Sequence, residues 1–278
     1  MRLLLTGAGG FIGKRLLELL REEHEVFAPR SFELDLRDAA STRAYIESHD
    51  IELIIHSASC GVQRADNTTL DAVSAPNLAM FRNLANCVTE ARRMINLGSG
   101  AEYDKSKPIV AVREEDFGLS VPKDPYGYSK YLISKEIEKR ERIINLRIFG
   151  VYGEGEHASR VTSSIISDYI QRRPIALRQN VRFSFIYLDD LCRIIRHFVN
   201  HPPRERFLNI AHPVGVEIMQ LARIVNTFAD WESPITVQKQ GMNHEYTCDV
   251  SGLCAYGFRF TPYESGLLRL FHHLSGLH

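Results

Sequence analysis

Residues 6–13 have the sequence TGAGGFIG and stand between the apolar run Arg2–Leu5 and a stretch with leucines at helical spacing, Phe11–Glu22. The glycines follow the pattern G-x-x-G-x-x-G. The first allows a tight turn, the second lets the backbone approach a pyrophosphate, and the third lets the helix pack on the strand. N–H groups at the start of the helix then face the phosphates. The residues predicted to bind a dinucleotide are Gly7, Gly10, Phe11, Ile12 and Gly13.

Short apolar strands alternate with helical stretches through the first half of the chain. The predicted strands are Arg2–Leu5, Glu25–Ala28, Leu53–His56, Met94–Leu97 and Ile143–Ile148, and the predicted helices are Phe11–Glu22, Ala40–His49, Asn77–Arg93 and Gly127–Lys139. This alternation predicts an α/β fold with a Rossmann-type doubly wound parallel sheet. The pattern loosens after Tyr152. We therefore expect a dinucleotide-binding domain at 1–152, with a strand and a helix from about 181–211, and a smaller mixed α/β substrate-binding region at 153–278.

The composition is that of a packed globular protein without electrostatic bias. The 278 residues include 34 Lys and Arg and 34 Asp and Glu, so the net charge is zero, and 44% of residues are apolar. This balance gives no reason to expect nucleic acid or a membrane as a partner, and no apolar run approaches the ~20 residues of a membrane-spanning helix. The five cysteines form no C-x-x-C pair, and His272 and His273 are adjacent, so neither a disulfide framework nor a metal site is expected. We expect a cytoplasmic protein.

The residues after the second predicted strand bear on the choice of dinucleotide. An NAD enzyme usually places Asp or Glu there to bind the ribose 2′-hydroxyl, but residues 26–31, VFAPRS, contain no acid. Arg30 and Ser31 can instead bind a 2′-phosphate, the arginine through its planar guanidinium. NADP is therefore the expected cofactor and NAD is the alternative. An exposed arginine without a role is the other interpretation of Arg30.

Three polar residues predict catalysis at the carboxyl end of the sheet. Tyr126 and Lys130 are four residues apart in a predicted helix and so share one face. An ammonium beside a phenol favours the phenolate, and such a tyrosine can exchange a proton with a substrate hydroxyl while a hydride moves to or from a nicotinamide. The lysine has further donors for the nicotinamide ribose. Ser99 follows the fourth strand, where its hydroxyl can hydrogen-bond the reacting oxygen.

With the glycine pattern, Ser99, Tyr126 and Lys130 in this order, the chain resembles the extended short-chain dehydrogenase/reductase family. This family includes NAD(P)-dependent sugar-nucleotide epimerases, dehydratases and reductases. Further similar segments are DLRD at 35–38, IIHSAS at 54–59, Asn77, LRIFGVYG at 146–153, FIYLDD at 185–190 and FLNI at 207–210. The resemblance implies that Asp35 and Leu36 contact the adenine, and that Ala58 and Asn77 lie beside the cofactor.

Departures from the family pattern narrow the expected chemistry. Gly100 and Ala101 stand where 4,6-dehydratases have an Asp-Glu pair, and neither can move a proton, so a dehydratase is not expected. Ala101 also replaces the cysteine that epimerises the sugar in bifunctional GDP-fucose synthase, so that epimerisation is not expected either. Gly150 replaces the usual asparagine of the segment at 146–153.

The candidate substrate-binding residues are Arg182, which matches a family motif, and two further residues, His157 and Arg160. Arg182 lies one residue earlier than the family's arginine near the substrate diphosphate, and a one-residue offset in a strand reverses the face of a side chain. Either a bulge restores Arg182 to the site or another cation, such as Arg160, serves there. His157 could be a second acid or base, or a loop histidine without a role.

The leading hypothesis is NADP-dependent reduction of a nucleotide-activated 4-keto-sugar. One alternative is a sugar-nucleotide 4-epimerase, and another is a non-catalytic NADP-binding redox sensor, against which the presence of Ser99, Tyr126 and Lys130 argues. The resemblance also implies a homodimer that pairs the helices Asn77–Arg93 and Gly127–Lys139 with their copies. The apolar residues expected at that interface are Ala79, Phe81, Leu84, Val88, Tyr131, Leu132 and Ile137.

Overall fold

The computed structural model describes residues 1–60 and 69–276, and the chain divides into two compact units. The first unit comprises Met1–Ser106, Glu114–Ile148 and Cys192–Asn209. The second unit comprises Lys107–Arg113, Phe149–Leu191 and Ile210–His278. None of the described helices is long and apolar enough to cross a membrane.

The helices and strands alternate along the chain. The helices of the described residues are α1 (Phe11–Leu20), α2 (Ala39–Ser48), α3 (Leu70–Ala85), α4 (Pro125–Ile137), α5 (Val161–Ile170), α6 (Leu188–Asn200), α7 (Ile218–Val225), α8 (Ser251–Cys254) and α9 (Tyr263–Ser275). The strands are β1 (Arg2–Thr6), β2 (Glu25–Phe27), β3 (Leu53–His56), β4 (Arg93–Ser99), β5 (Ile109–Val112), β6 (Ile143–Ile148), β7 (Gly150–Tyr152), β8 (Ile175–Leu177), β9 (Arg182–Phe183), β10 (Phe185–Tyr187), β11 (Phe207–Ile210), β12 (Val216–Glu217), β13 (Ile235–Val237) and β14 (Tyr246–Cys248). Short 3₁₀ turns form at Gly100–Glu102 and Glu114–Asp116.

The sheet of the first unit has the strand order β11-β6-β4-β3-β1-β2. The pairs that join β1 to β2, β1 to β3, β3 to β4 and β4 to β6 are parallel. The chain runs from β1 outward to β2 and then returns to the other side of β1 for β3. In open α/β sheets, ligands bind at the carboxyl ends of the strands beside such a reversal. The predicted doubly wound parallel sheet is confirmed.

Continuous apolar runs explain why these strands form a sheet that is covered on both faces. Leu3–Leu5 and Leu53–Ile55 are fully buried, without the alternation of buried and exposed residues that a half-exposed sheet shows. Helices α3 and α4 cover one face. The core on this face includes Leu4, Ile54, Phe81, Leu84, Ile133 and Ile137.

Helix α3 lies earlier in the chain than the predicted helix Asn77–Arg93. It begins after Thr69, whose hydroxyl accepts a hydrogen bond from the N–H of Ala72 at 3.2 Å. Pro76 lies inside the helix, although proline is more common at the first helical position. The helix ends at Ala85, and Arg93 already opens β4, which leaves a short turn where the prediction continued the helix.

The residues expected to face a second copy of the chain also need correction. Phe81, Leu84 and Ile137 are fully buried inside the first unit, so they cannot form an interface. Tyr131 and Leu132 are half-buried and retain accessible surface. The homodimer therefore stays a prediction with a smaller set of candidate contacts.

The second unit is a mixed α/β assembly. One small sheet has the order β12-β9-β14-β5, in which β12 and β9 are antiparallel and β14 is parallel to both neighbours. Parallel pairs also join β7 to β10 and β8 to β13. Helices α5, α7 and α9 pack against one another. The buried core includes Tyr152, Ile166, Tyr169, Leu221, Leu270 and Phe271.

A buried histidine joins the ends of β1 and β3. Thr6 Oγ1 accepts hydrogen bonds from the N–H groups of Ser57 (3.2 Å) and Ala58 (3.3 Å), so its own hydrogen points to Nδ1 of His56 at 2.8 Å. Burial, together with the positive charge of Lys130, lowers the pKa of His56 to about 3. His56 is therefore neutral in the folded protein and carries its proton on Nε2.

The neutral state of His56 makes the fold sensitive to acid. In the unfolded chain this histidine gains a proton below pH ~6.5, whereas in the folded chain it does so only near pH 3. Its contribution to stability is complete above pH ~6.5 and is lost as the pH falls toward 3. This one group lowers the free energy of unfolding by up to about 1.4 kcal/mol per pH unit in that window.

We predict that His56→Asn, which keeps an acceptor for Thr6 but does not titrate, flattens the fall in stability between pH 6 and 4. Urea unfolding at several pH values measures the slope for the natural chain and the variant. His49→Asn provides a control histidine outside this hydrogen-bonded pair. Equal slopes for His56→Asn and the natural chain would show that His56 is not the source of the acid sensitivity.

Candidate active site

The glycine-rich segment forms a close turn between β1 and α1. Gly7 has a φ of 72°, and a Cβ there would lie 2.6 Å from the N atom of Ala58. A Cβ on Gly13 would lie 2.2 Å from the carbonyl oxygen of Gly7. Both positions therefore require glycine, one for backbone conformation and contact and the other for contact alone. Gly10 caps α1 without any side chain, which leaves room for a phosphate at the first turn, where Phe11 and Ile12 begin the helix.

The loop after β2 places a guanidinium over this turn. A Cβ on Gly9 would lie 3.1 Å from Nη1 of Arg30. Arg30 and Ser31 are both exposed. Glu33, which spacing alone did not single out, turns back so that its carboxylate accepts a hydrogen bond from the N–H of Arg30 at 2.6 Å. The loop after β2 therefore places the Arg30 guanidinium beside the glycine turn and the Glu33 carboxylate against the backbone of Arg30.

Asp35 and Leu36 follow the same loop but differ in their surroundings. The Asp35 carboxylate pairs with the Arg37 guanidinium at 2.7 Å, and these hydrogen bonds lower the pKa of Asp35 to about 2. The Leu36 side chain is buried, and its carbonyl accepts a hydrogen bond from Asn83 at 2.9 Å. Asp35 is therefore the accessible member of the pair predicted at the adenine.

Asn77 fastens the segment that follows β3. Its Oδ1 accepts from the N–H of Cys60 at 2.7 Å, and its Nδ2 donates to the carbonyls of Cys60 (3.0 Å) and Val73 (2.9 Å). Both amide hydrogens are thus used within the chain. Asn77 holds the backbone beyond Ala58, and the sequence comparison did not distinguish this role from direct cofactor contact.

Ser99 ends β4 and caps the 3₁₀ turn that follows. Its Oγ accepts a hydrogen bond from the N–H of Ala101 at 3.1 Å, and the residue remains partly accessible. Accepting this bond leaves the hydroxyl hydrogen for donation to another group. Ser99 can therefore donate to a substrate oxygen from an orientation that the turn defines.

Tyr126 and Lys130 occupy the first two turns of α4. Asp124 caps the helix by accepting from the N–H of Gly127 at 2.9 Å. Lys130 Nζ lies 5.9 Å from the centre of the Tyr126 ring and donates to the carbonyl of Leu97 in β4 at 3.0 Å. Lys130 is 6% exposed, so the helix face beside Tyr126 carries a buried positive charge.

The start of α4 lies directly against the turn that Ser99 caps. A Cβ on Gly127 would lie 2.6 Å from the carbonyl oxygen of Ala101. Glycine at position 127 therefore permits this approach. The structure brings the elements that carry Ser99, Tyr126 and Lys130 into contact within the first unit.

Two charged residues behind this turn were not singled out by the sequence. Glu102 and Arg147 are each 1% exposed and form an ion pair, with Nε of Arg147 2.8 Å from Oε2 of Glu102. The available signal was Arg147 itself, a cation inside the apolar strand segment Ile143–Ile148. A charge in a central strand must have a partner, because an isolated buried charge is very unfavourable.

The residues predicted to bind substrate all belong to the second unit. His157 is exposed and its Nδ1 lies 2.8 Å from the Ser159 hydroxyl. Arg160 is exposed and donates to the carbonyl of Val151 at 2.8 Å. Arg182 is exposed, and its Nε is 3.9 Å from a carboxylate oxygen of Glu245.

Arg182 and Gly150 lie next to a group of aromatic rings. Ser184 separates β9 from β10, so the chain changes partner strands between Arg182 and Phe185. A Cβ on Gly150 would lie 2.6 Å from the ring of Phe183 and 2.7 Å from that of Phe185. The space that a side chain at 150 would need is filled by these rings. Within the described residues, no group of three or more His, Cys, Asp or Glu is arranged to hold a metal ion.

Comparison with known proteins identifies the family of the chain. The model of the NAD dependent epimerase/dehydratase family matches residues 3–211. ADP-L-glycero-D-manno-heptose-6-epimerase of Cupriavidus pinatubonensis is 24% identical over 248 residues, which cover 76% of this chain and 72% of that protein. GDP-6-deoxy-D-talose 4-dehydrogenase of Aggregatibacter actinomycetemcomitans is 26% identical over 242 residues, which cover 81% and 79%.

A solved structure shows the same fold. It is that of a GDP-D-glycero-L-gluco-heptose synthase from Campylobacter jejuni in the presence of NADPH, with a TM-score of 0.85 and 14% identity, and it covers 99% of this chain and 98% of that chain. The family model spans most of the chain and includes the glycine turn, Ser99, Tyr126 and Lys130. The protein is thus an enzyme, and it belongs to the NAD dependent epimerase/dehydratase family, as the sequence resemblance predicted.

Proposed function

We propose that this protein reduces the keto group of a nucleotide-activated 4-keto-sugar with NADPH. The observation that carries the proposal is the contact between the Ser99 turn and the start of α4, which places a hydroxyl, a phenol and an ammonium in one region of the first unit. Of the relatives, one is named as a 4-dehydrogenase of a GDP-linked deoxy sugar. That name supports chemistry at C4.

The residues present suit the dinucleotide. Gly7 and Gly13 allow the tight turn and the close packing of α1, and Gly10 has no side chain at the start of α1, where a pyrophosphate must approach. Arg30 adds a cation for a 2′-phosphate. NADPH held there supplies the hydride that reduces the keto carbon. The ammonium of Lys130 makes one hydrogen bond to Leu97 and has two further N–H groups to donate to the nicotinamide ribose.

In the proposed reaction, two side chains act on the sugar oxygen. Ser99 donates a hydrogen bond to the carbonyl oxygen and stabilises the negative charge that develops there. Tyr126 donates its phenolic proton to the same oxygen as it becomes an alkoxide, which yields the alcohol and a phenolate. Lys130 stabilises that phenolate until a proton returns from solvent.

The neighbouring residues argue against elimination of water. Gly100 and Ala101 are buried and have no group that can exchange a proton. The second candidate function is a sugar-nucleotide 4-epimerase. The relative from Cupriavidus is named a 6-epimerase, which supports epimerisation of a nucleotide sugar as a type of reaction but at a different carbon. In that case the sugar would be oxidised and then reduced on its opposite face, with no net use of cofactor.

Cofactor use separates the two candidate functions. ADP-, GDP-, UDP- and dTDP-linked 4-keto-6-deoxyhexoses are tested with NADPH, first by thermal shift and then by absorbance at 340 nm. A bound sugar nucleotide raises the melting temperature by mass action. We expect one of these sugars to be reduced with one NADPH consumed per alcohol formed. The corresponding sugar nucleotides with a hydroxyl group at C4 are tested in parallel with NADP or NAD. Their conversion to the C4 epimer, without any net change at 340 nm, would support the epimerase instead.

The choice of cofactor depends on the loop after β2. We predict that the protein binds NADPH more tightly than NADH, and that Arg30→Ala weakens NADPH binding about 10–100-fold, the value of one charge-assisted pair, while NADH binding changes less than about twofold. Titration calorimetry measures both dissociation constants. Glu33→Gln is the matched control, because it keeps an acceptor for the Arg30 N–H. If Glu33→Gln lowered the affinity for NADH while Arg30→Ala left the affinities for NADPH and NADH unchanged, NAD would be identified as the cofactor.

The catalytic assignment predicts graded losses of turnover. Tyr126→Phe keeps the ring but removes the transferable proton, so kcat should fall about 10²–10⁴-fold while the protein remains folded. Ser99→Ala removes one donor to the developing oxyanion and should lower kcat by up to about 10²–10³-fold. Tyr131→Phe, on the same helix, should change kcat less than about twofold. Near-normal turnover of Tyr126→Phe would show that another group donates the proton.

A further inference from the structure

We infer that the buried pair of Glu102 and Arg147 is a positioning device that holds the Ser99 turn in register with helix α4. The inference rests on the proposed roles of Ser99 and Tyr126. Its subject is the orientation of these residues, and neither Glu102 nor Arg147 is proposed to touch the substrate.

The Glu102 carboxylate holds the backbone of Ser99 directly. Its Oε1 accepts from the N–H of Ser99 at 3.0 Å, while Oε2 accepts from Nε of Arg147 at 2.8 Å. Asn145 donates to both oxygens, at 3.2 and 3.0 Å. One carboxylate thus joins the reacting end of β4 to two side chains of the neighbouring strand β6.

Arg147 extends this connection to the helix that carries Tyr126 and Lys130. Its Nη2 donates to the hydroxyl of Ser134, one turn beyond Lys130 in α4, at 3.3 Å. Its Nη1 donates to the hydroxyl of Tyr103 at 3.2 Å and to the carbonyl of Glu114 at 3.1 Å. The guanidinium therefore has partners on both elements of the site.

Aromatic rings fix the plane of this guanidinium. Its central carbon lies 4.4 Å from the ring centre of Phe117 and 4.9 Å from that of Phe207. Such cation–π contacts are strong where water is excluded. The arginine therefore presents its hydrogen-bond donors in a defined direction and cannot turn away from Glu102 without losing several contacts.

The backbone around the pair is shaped to admit it. A Cβ on Gly98 would lie 2.4 Å from Oε1 of Glu102 and 2.5 Å from Oδ1 of Asn145. Glycine at this position of β4 is thus required for the carboxylate to reach the N–H of Ser99. The absence of a side chain at Gly98 is therefore part of the arrangement that lets one carboxylate contact both Ser99 and Arg147.

Position matters because catalytic groups act only at short range. A displacement of about 1 Å in a reacting group can lower turnover about 100-fold. Glutamine at position 102 has a single acceptor oxygen, so it cannot accept from the Ser99 N–H and from Nε of Arg147 at the same time, and the buried Arg147 loses its counter-charge. The Ser99 turn would then settle in a different place relative to Tyr126, while the glycine turn that binds the dinucleotide would not change.

The test compares Glu102→Gln with two controls. Glu136→Gln neutralises a half-buried acid of α4 that pairs with Arg82. Leu84→Ala removes a buried side chain of α3 and lowers stability without touching the turn. The measurements are kcat and KM with a GDP-linked 4-keto-6-deoxyhexose, the dissociation constant of NADPH, and amide hydrogen exchange of the peptide 97–104. Glu102→Asp keeps the charge but shortens the reach, and it replaces Glu102→Gln should that variant fail to fold.

We expect Glu102→Gln or Glu102→Asp to lower kcat about 10–100-fold, with KM and the dissociation constant of NADPH within about twofold, and to speed exchange in peptide 97–104 about tenfold or more. The two controls should leave kcat within about twofold. A folded variant with normal kcat and normal exchange in this peptide would overturn the inference. So would an equal loss of kcat in Leu84→Ala.

The exchange measurement separates this inference from the proposed function. If the natural chain reduces none of the four keto-sugars, the proposed function fails. Faster exchange of peptide 97–104 in Glu102→Gln, but not in Leu84→Ala, would still support the positioning role for whichever reaction the site performs. Unchanged exchange would overturn it.

Discussion

The arrangement of the first unit depends on the backbone N–H and C=O groups at the ends of its parallel strands. The sheet itself provides no hydrogen-bond partner for these groups. Buried N–H and C=O groups need partners, and at these ends no further strand residue supplies one. Thr6, Asn77 and Glu102 supply side-chain partners to the segments that follow β3 and to the end of β4. Lys130 does the same for the carbonyl of Leu97. The residues around the candidate active site are thus held by the same bonds that complete the sheet.

At the carboxyl end of the sheet, each buried charged side chain either has a partner of opposite charge or lies away from other groups of the same charge. Arg147 is paired with Glu102, whereas Lys130 lies on a carbonyl and beside the Tyr126 ring. A second cation near Lys130 would be unfavourable, and burial with this ammonium depresses the pKa of His56 to about 3. His56 therefore serves as a neutral hydrogen-bond partner, and the positive charge beside Tyr126 comes from Lys130.

The sequence predicted this unit well where one physical requirement dictated one residue type. The glycine turn is an example, since a Cβ at Gly13 would meet backbone atoms and no larger residue fits. It failed where two requirements competed. The predicted helix began at Asn77, but the capping hydroxyl of Thr69 and the buried face through Phe81 and Leu84 set the start of α3 earlier, with Pro76 inside the helix. The same burial shows why apolar spacing could not separate core residues from residues of an interface.

Arg147 illustrates a different limit. An arginine inside an apolar strand indicates a buried partner, but its partner Glu102 lies 45 residues away in the chain, and only the parallel pairing of β4 with β6 brings them together. The neighbouring residues in the sequence of Glu102 and of Arg147 do not indicate which residues of β4 and β6 pair. The sheet order places Glu102 beside Arg147, and the glycine at position 98 makes room for the carboxylate.

In the second unit, Gly150 stands where the family pattern has asparagine, and the difference affects packing as well as chemistry. A side chain at position 150 would meet the ring of Phe183, which itself packs on Phe185 and Tyr246 with ring centres 4.6 and 4.7 Å apart. A Cβ at 150 would also lie 2.7 Å from the ring of Phe185, so a polar residue there requires that both rings move or be replaced by smaller side chains. Gly150 and Phe183 behave as one structural element, so substitution of Gly150 alone introduces a steric conflict in this core before it can add a contact to any substrate.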